Sequence, residues 1–186
     1  MLLLVFVLIV PVAIALLRGG NLGNFTDMFI RGWWLLFVGF GMQIAASVLD
    51  SDQRLLARIL VLTSYVVLLG LVAANWTAPG MWMTGVGLLM NFTVIAVNGG
   101  MPVLPEAVEL AGGTFSLPLG AKHVLLDTST RLPFLADVLP MPGNVISLGD
   151  IFFAIGLGTL IEHHIRQPAR LFRKGARTPP GSAARS

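Results

Sequence analysis

Five apolar stretches, over residues 1–17, 32–49, 55–74, 81–97 and 148–165, dominate this chain, and none carries a charge in its central part. Each approaches the ~20 residues that a helix needs to cross a ~30 Å hydrocarbon layer. A chain in lipid must satisfy its backbone polar groups internally, which leaves helices as the natural solution for such segments. The expectation is therefore an all-α membrane protein of about five transmembrane helices. Residues 1–165 read as one helical membrane domain, with residues 98–147 as a partly buried extracytoplasmic cap containing short helices. Residues 166–186 read as a basic, disordered cytoplasmic tail.

Composition agrees with this reading. Only 11% of the 186 residues are charged and 55% are hydrophobic, with a mean hydropathy of +0.84, where a soluble domain carries roughly 25% charge. The absence of cysteine removes disulfides, thiolate nucleophiles and cysteine-held metals. The pI of 10.2 comes largely from the tail. There Arg166, Arg170, Arg173 and Lys174 stand without acids, a pattern suited to anionic lipid headgroups and not to nucleic acid.

Local signals set the element ends. The first span has no basic residue before its apolar run, so it reads as a retained helix and not a cleaved leader. Pro11 interrupts it. Thr26 and Asp27 suit a helix start, and Trp33 and Trp34 an interfacial belt. Arg58 is close enough to a span end to snorkel. Pro105 followed by Glu106–Leu110 and then Gly112-Gly113 predicts a short helix in the cap. Ser147-Leu-Gly-Asp150 has capping-box spacing. Counting Lys and Arg on the two sides of five spans gives eight on the tail side (Arg18, Arg31 and six in the tail) against four (Arg54, Arg58, Lys122, Arg131). That count predicts a multi-pass protein with its N-terminus out and its C-terminus cytoplasmic.

Polar residues inside the spans are the candidate sites. Thr84, Asn91 and Asn98 recur every seven residues and so share one helix stripe. The stripe reads as the wall of a polar cavity, with Gln43 and Ser47 and with Ser64 or Tyr65, or as interhelical hydrogen bonding. The packing reading takes precedence because amides are common interhelical glue. Small-residue pairs (Gly41 with Ala45, Gly70 with Ala74, Ala154 with Gly158) add close helix contacts, within the chain or in a homo-oligomer. In the cap, His123 and Asp127 lie four apart and would share a face if helical. With Asp137 and Asp150 they form the candidate catalytic set, a base with orienting carboxylates, although a structural hydrogen-bond pair in the cap takes precedence over catalysis. No ligand spacing for a metal is present, and no cofactor is expected.

The stretches Asn98-Gly-Gly-Met-Pro-Val103, His123 to Asp137 and Pro142-Gly-Asn-Val-Ile-Ser-Leu-Gly-Asp150 resemble those of an uncharacterised family of bacterial multi-pass membrane proteins, a domain of unknown function. The resemblance implies a shared fold and a cytoplasmic-membrane location, and it implies no activity. The leading expectation is an accessory, scaffolding or lipid-binding subunit of a membrane complex, with lipids and other membrane subunits as partners and no catalysis. Two alternatives stand beside it: a small-solute transporter or channel using the stripe of the fourth span, and an outer-face enzyme using His123 with its nearby acids.

Overall fold

The structure is a computed structural model, and it describes residues 2–21, 30–114 and 121–166. It is mostly helical. The long helices are α1 (Leu2–Leu17), α2 (Trp34–Ser47), α3 (Arg54–Ala74), α4 (Met81–Asn98) and α6 (Leu148–Ile165), with α5 (Pro105–Leu110) short and in the cap. Two of them, α3 and α4, are long and apolar enough to cross a membrane, and α2 is apolar but shorter. At ~1.5 Å per residue, the 21 residues of α3 and the 18 of α4 rise about 32 and 27 Å.

The helices pack in the order α2, α3, α4, α6, α1. Gly39 meets Leu68, and the Asn75 side chain bonds the backbone N–H and carbonyl of Arg31, so α2 and α3 run antiparallel. Gly85 lies against Val72 and Trp76, while the Arg58 guanidinium donates to the Ala96 carbonyl at 2.7 Å. Arg58 thus satisfies a carbonyl at the C-terminal end of α4, where a cation is also favoured by the helix dipole. The closest approach is α4 on α6: Gly80 meets Gly156, and Gly87 meets Gly149 and Phe153. Pro11 packs on Gly158, where an added Cβ would sit 2.9 Å from its ring.

This corrects part of the small-residue reading. Gly41 and Gly70 have nothing within 4 Å of a Cβ position, so neither mediates a contact among the described residues. Large apolar side chains are exposed along the helices, among them Phe37, Ile44, Ile59, Val66, Leu89 and Ile155. Trp33, Trp34, Trp76 and Trp82, each more than half exposed, flank the start of α2, the end of α3 and the start of α4. The antiparallel packing gathers all four at one end of the bundle.

The cap corrects the all-α expectation, because it contains small sheets as well as α5. Strands β1 (Met101–Val103) and β2 (His123–Leu125) pair in parallel, and β3 (Leu139–Met141) and β4 (Asn144–Ile146) form a hairpin. Proline disfavours helix at and before its own position, and the β-branched Val103, Val124, Val145 and Ile146 favour extended backbone. Pro102 is accommodated because β1 needs only its carbonyl, which accepts from Asp137 N–H at 2.9 Å. Helix α5 begins on Pro105 as expected and stops where Gly112 takes φ +83°. The Thr26–Asp27 helix start, and Arg170, Arg173 and Lys174 of the tail, lie outside the described residues.

Candidate functional site

Helix α6 begins partway down the bundle, and this places the site. Its N-cap Ser147 and first-turn Asp150 lie beside Asn91, ten residues into α4 and so about 15 Å along it. The capping box forms as its spacing suggests: the Asp150 N–H donates to Ser147 Oγ at 3.1 Å, and the Ser147 N–H donates to Asp150 Oδ2 at 3.0 Å. Asn91 joins it. Its Nδ2 donates to Asp150 Oδ1 at 2.8 Å, and its Oδ1 accepts from the Ser147 hydroxyl at 2.9 Å. Two orienting bonds thus hold the Asp150 carboxylate, and Ser147 is wholly buried. Gly149 makes the approach possible, since a Cβ there would overlap Asn91 Oδ1.

The cap completes the site through β1. Along one edge, Met101 N–H donates to the Lys122 carbonyl at 2.9 Å, in register with β2 and His123. Along the other, Asp137 N–H donates to the Pro102 carbonyl and Leu104 N–H to the Asp137 carbonyl, so Val103 bridges to Asp137. One short strand therefore carries His123 on one flank and Asp137 on the other. Together with Gln43 of α2, Tyr65 and Val61 of α3, and Asn91 and Ile95 of α4, these residues line a pocket of about 130 Å³ that also includes Met101, Lys122 and Asp150. Tyr65 interacts there with Asn91.

The electrostatics of the pocket separate its two cap-borne titratable groups. Burial, reinforced by the Asp150 carboxylate and opposed by Lys122, pushes the Asp137 carboxyl up to about 8. Burial, with Lys122 adding repulsion, pushes His123 down to about 4. Among the described residues, no side chain or backbone group hydrogen-bonds the Asp137 carboxyl or the His123 ring. Nor do three or more His, Asp or Glu side chains among those residues converge as a metal site would require.

Of the sequence candidates, Gln43, Asn91, His123, Asp137 and Asp150 come together, with Tyr65. Others do not. His123 is in a strand, so its i, i+4 relation to Asp127 has no helical face to share. Asp127 is exposed and closes a turn, accepting from the Ser129 hydroxyl and N–H at 2.6 and 2.8 Å, bonds that hold its carboxyl below the usual range. Thr84 donates to the Gly80 carbonyl at 3.1 Å. Asn98 clamps the cap, exchanging two 2.8 Å bonds with the backbone of Arg131. Ser64 and Ser47 bond their own helices. The stripe thus splits into one site residue and two structural ones. Lys122 was visible only as a charge beside His123, and the second bond of Ser147 had no signal beyond the need of Asn91 for a partner. Arg166 is exposed and lies 3.4 Å from Glu162, which also meets Arg18 at 2.7 Å.

Residues 27–162 match a family of unknown function (DUF5317), and the chain belongs to that family. The match contains every pocket residue and excludes the tail. An uncharacterized protein of Thermotoga maritima is 30% identical, over 74% of this chain and 78% of its own length. No solved structure matches the chain. The three resembling stretches fall on the pocket: Asn98–Val103 closes α4 and forms β1, His123 and Asp137 flank β1, and Pro142–Asp150 forms the hairpin turn and the α6 cap.

Proposed function

We propose, with membership of this family of unknown function as the starting point, that the chain is a multi-pass membrane protein that binds a small polar solute in the pocket beneath its cap. Helices α1 to α4 and α6 cross the bacterial cytoplasmic membrane, with the cap outside and the tail inside. The large apolar side chains exposed along the helices support this, because lipid in place of water would cover them in such a setting. So do the four tryptophans at the tail end, where Arg18, Arg31 and Arg166 also lie.

The observation that carries the solute reading is the convergence of seven polar side chains from four helices and the cap on one small cavity. Polar groups at such depth are costly unless they serve one another or a ligand. Pockets for drug-sized molecules occupy ~300–1,000 Å³, so about 130 Å³ suits a much smaller solute. Beyond Asn91, Gly87 and Gly80 bring α4 into backbone contact with α6, which favours a site open toward the cap over a continuous channel. The accessory-subunit role expected from sequence ranks behind this reading.

The test is unfolding of the nanodisc-embedded protein against a panel of small polar solutes. A ligand at 100 times its Kd stabilises by about 2.7 kcal/mol, and Asn91→Leu removes that gain. Stabilisation that survives Asn91→Leu sinks the assignment of this pocket.

One observation favours a second reading, proton-transfer catalysis. Asp137 at about 8 and His123 at about 4 form an acid that keeps its proton and a base that lacks one at neutral pH, the separation acid–base catalysis uses.

A further inference from the structure

We infer that the pocket takes a small organic ammonium cation, which replaces a proton on the Asp137 carboxyl. The inference deepens the solute-binding reading and rests on it. The argument begins with charge balance. The ionisable groups lining the pocket are Asp137 and Lys122 from the cap, His123 from β2, Asp150 from α6 and Tyr65 from α3, while α2 and α4 contribute the neutral Gln43 and Asn91. Two carboxyls face one lysine. His123 offers no compensating charge, because burial and Lys122 keep it neutral. With both carboxyls ionised the pocket carries one uncompensated negative charge, which a half-buried site tolerates poorly.

A single positive particle restores neutrality, and a proton on Asp137 is the one available in the empty state. Asp150 is the anchored carboxyl, held by Asn91 and the Ser147 N–H. Asp137 has no such bonds among the described residues, only Coulombic influence from Asp150 and Lys122. It is therefore the carboxyl free to exchange its proton for a donor. An ammonium presents N–H donors to the Asp137 carboxylate and the Gln43 amide oxygen, and its charge suits the Tyr65 ring.

The lining also argues for an organic cation over a bare metal ion. Val61, Ile95 and Met101 provide apolar wall, and no metal-holding cluster exists among the described residues. Exchange balances without a further reactant: the O–H bond of Asp137 breaks, the proton goes to buffer, and the carboxylate accepts hydrogen bonds from the ammonium.

The experiment is titration calorimetry of the full chain in nanodiscs with methylammonium chloride, sodium acetate and acetamide as probes, at pH 7 in two buffers of different ionisation enthalpy. The expected result is binding of methylammonium alone, with close to one proton released per cation and affinity falling about tenfold per pH unit below 8. Asp137→Asn removes the proton release and weakens binding at least tenfold, while Asp127→Asn, outside the pocket, changes neither. Should Asp137→Asn fail to fold, wild type carries the test, with proton release near one at pH 7 and about a tenth at pH 9. Methylammonium binding without proton release overturns the exchange. Binding of acetate or acetamide in place of methylammonium overturns the cation inference and leaves the solute reading standing. No binding by any probe overturns both.

Discussion

Replacing Gly149 by alanine tests whether close approach of α6 to α4 creates the site. The new Cβ would overlap Asn91 Oδ1, 2.7 Å from Asn91 Cγ and 2.8 Å from the Gly87 carbonyl oxygen. The amide must swing away, because the Gly87 carbonyl belongs to the α4 backbone. Two bonds are then lost: Ser147 Oγ to Asn91 Oδ1 at 2.9 Å, and Asn91 Nδ2 to the Asp150 carboxylate at 2.8 Å. A neutral bond contributes about 1 kcal/mol and one to a charged group about 1.5–3. The summed loss is about 2.5–4 kcal/mol, against a helix-propensity gain of at most about 1 kcal/mol. A net destabilisation of about 1.5–4 kcal/mol is expected in denaturant unfolding of the nanodisc-embedded protein. Gly70→Ala is the control, since nothing lies within 4 Å of its Cβ position; it should be neutral or stabilising by up to about 1 kcal/mol. A double-mutant cycle with Asn91→Ala should show coupling of at least about 1 kcal/mol, because removing the amide removes the clash. If Gly149→Ala matches Gly70→Ala within ~0.5 kcal/mol, below the usual coupling of touching residues, the reasoning fails.

Three further outcomes are expected. The Asp137 carboxyl keeps its proton up to about 8 in the fold but ionises near ~4 when unfolded, so its contribution is fully present below ~4 and lost as pH rises to 8. His123, neutral down to about 4 in the fold and near ~6.5 unfolded, contributes above ~6.5 and loses it as pH falls toward 4. Melting temperature followed from pH 4 to 9 should therefore fall between about 6.5 and 8 in wild type and stay level in Asp137→Asn; a slope surviving in that variant refutes the assignment. Arg58→Met keeps the stem and loses the 2.7 Å bond to the Ala96 carbonyl, with a cost of about 1.5–3 kcal/mol in the same unfolding assay. Glu162→Gln breaks its pairs with Arg18 and Arg166, whose side chains are 58% and 52% exposed. That should cost no more than about 1 kcal/mol, a difference that shrinks in salt.

Much of the helical framework is legible in the order of residues, because its signals are local. Apolar runs, Pro105, Gly112 and the Ser147–Asp150 spacing each act within a turn or two, and the five long helices begin and end within about two residues of the expected limits, the ordinary uncertainty of helix ends. The strands of the cap were not legible: the β1–β2 pairing joins residues 22 apart, and the β3–β4 hairpin, although local, has only three residues a side, too few to show an alternating pattern. The sequence also named most of the pocket without its reason for meeting. Asn91 stands out because an amide in an apolar helix needs a partner, whereas His123 and Asp137 attract notice only as titratable types.

By itself, then, the order of residues determined the helices, their uncharged interiors and the short list of groups able to do chemistry. All of these depend on composition and on periodicity within one element. Tertiary structure decided which of those groups meet. It started α6 at the depth of Asn91, let Gly87 and Gly149 bring two backbones together, and set His123 and Asp137 on opposite edges of one strand. The physical reason is that a shared cavity and its burial are properties of several elements at once, and the shifts of Asp137 and His123 exist only after those elements exclude water from the same space.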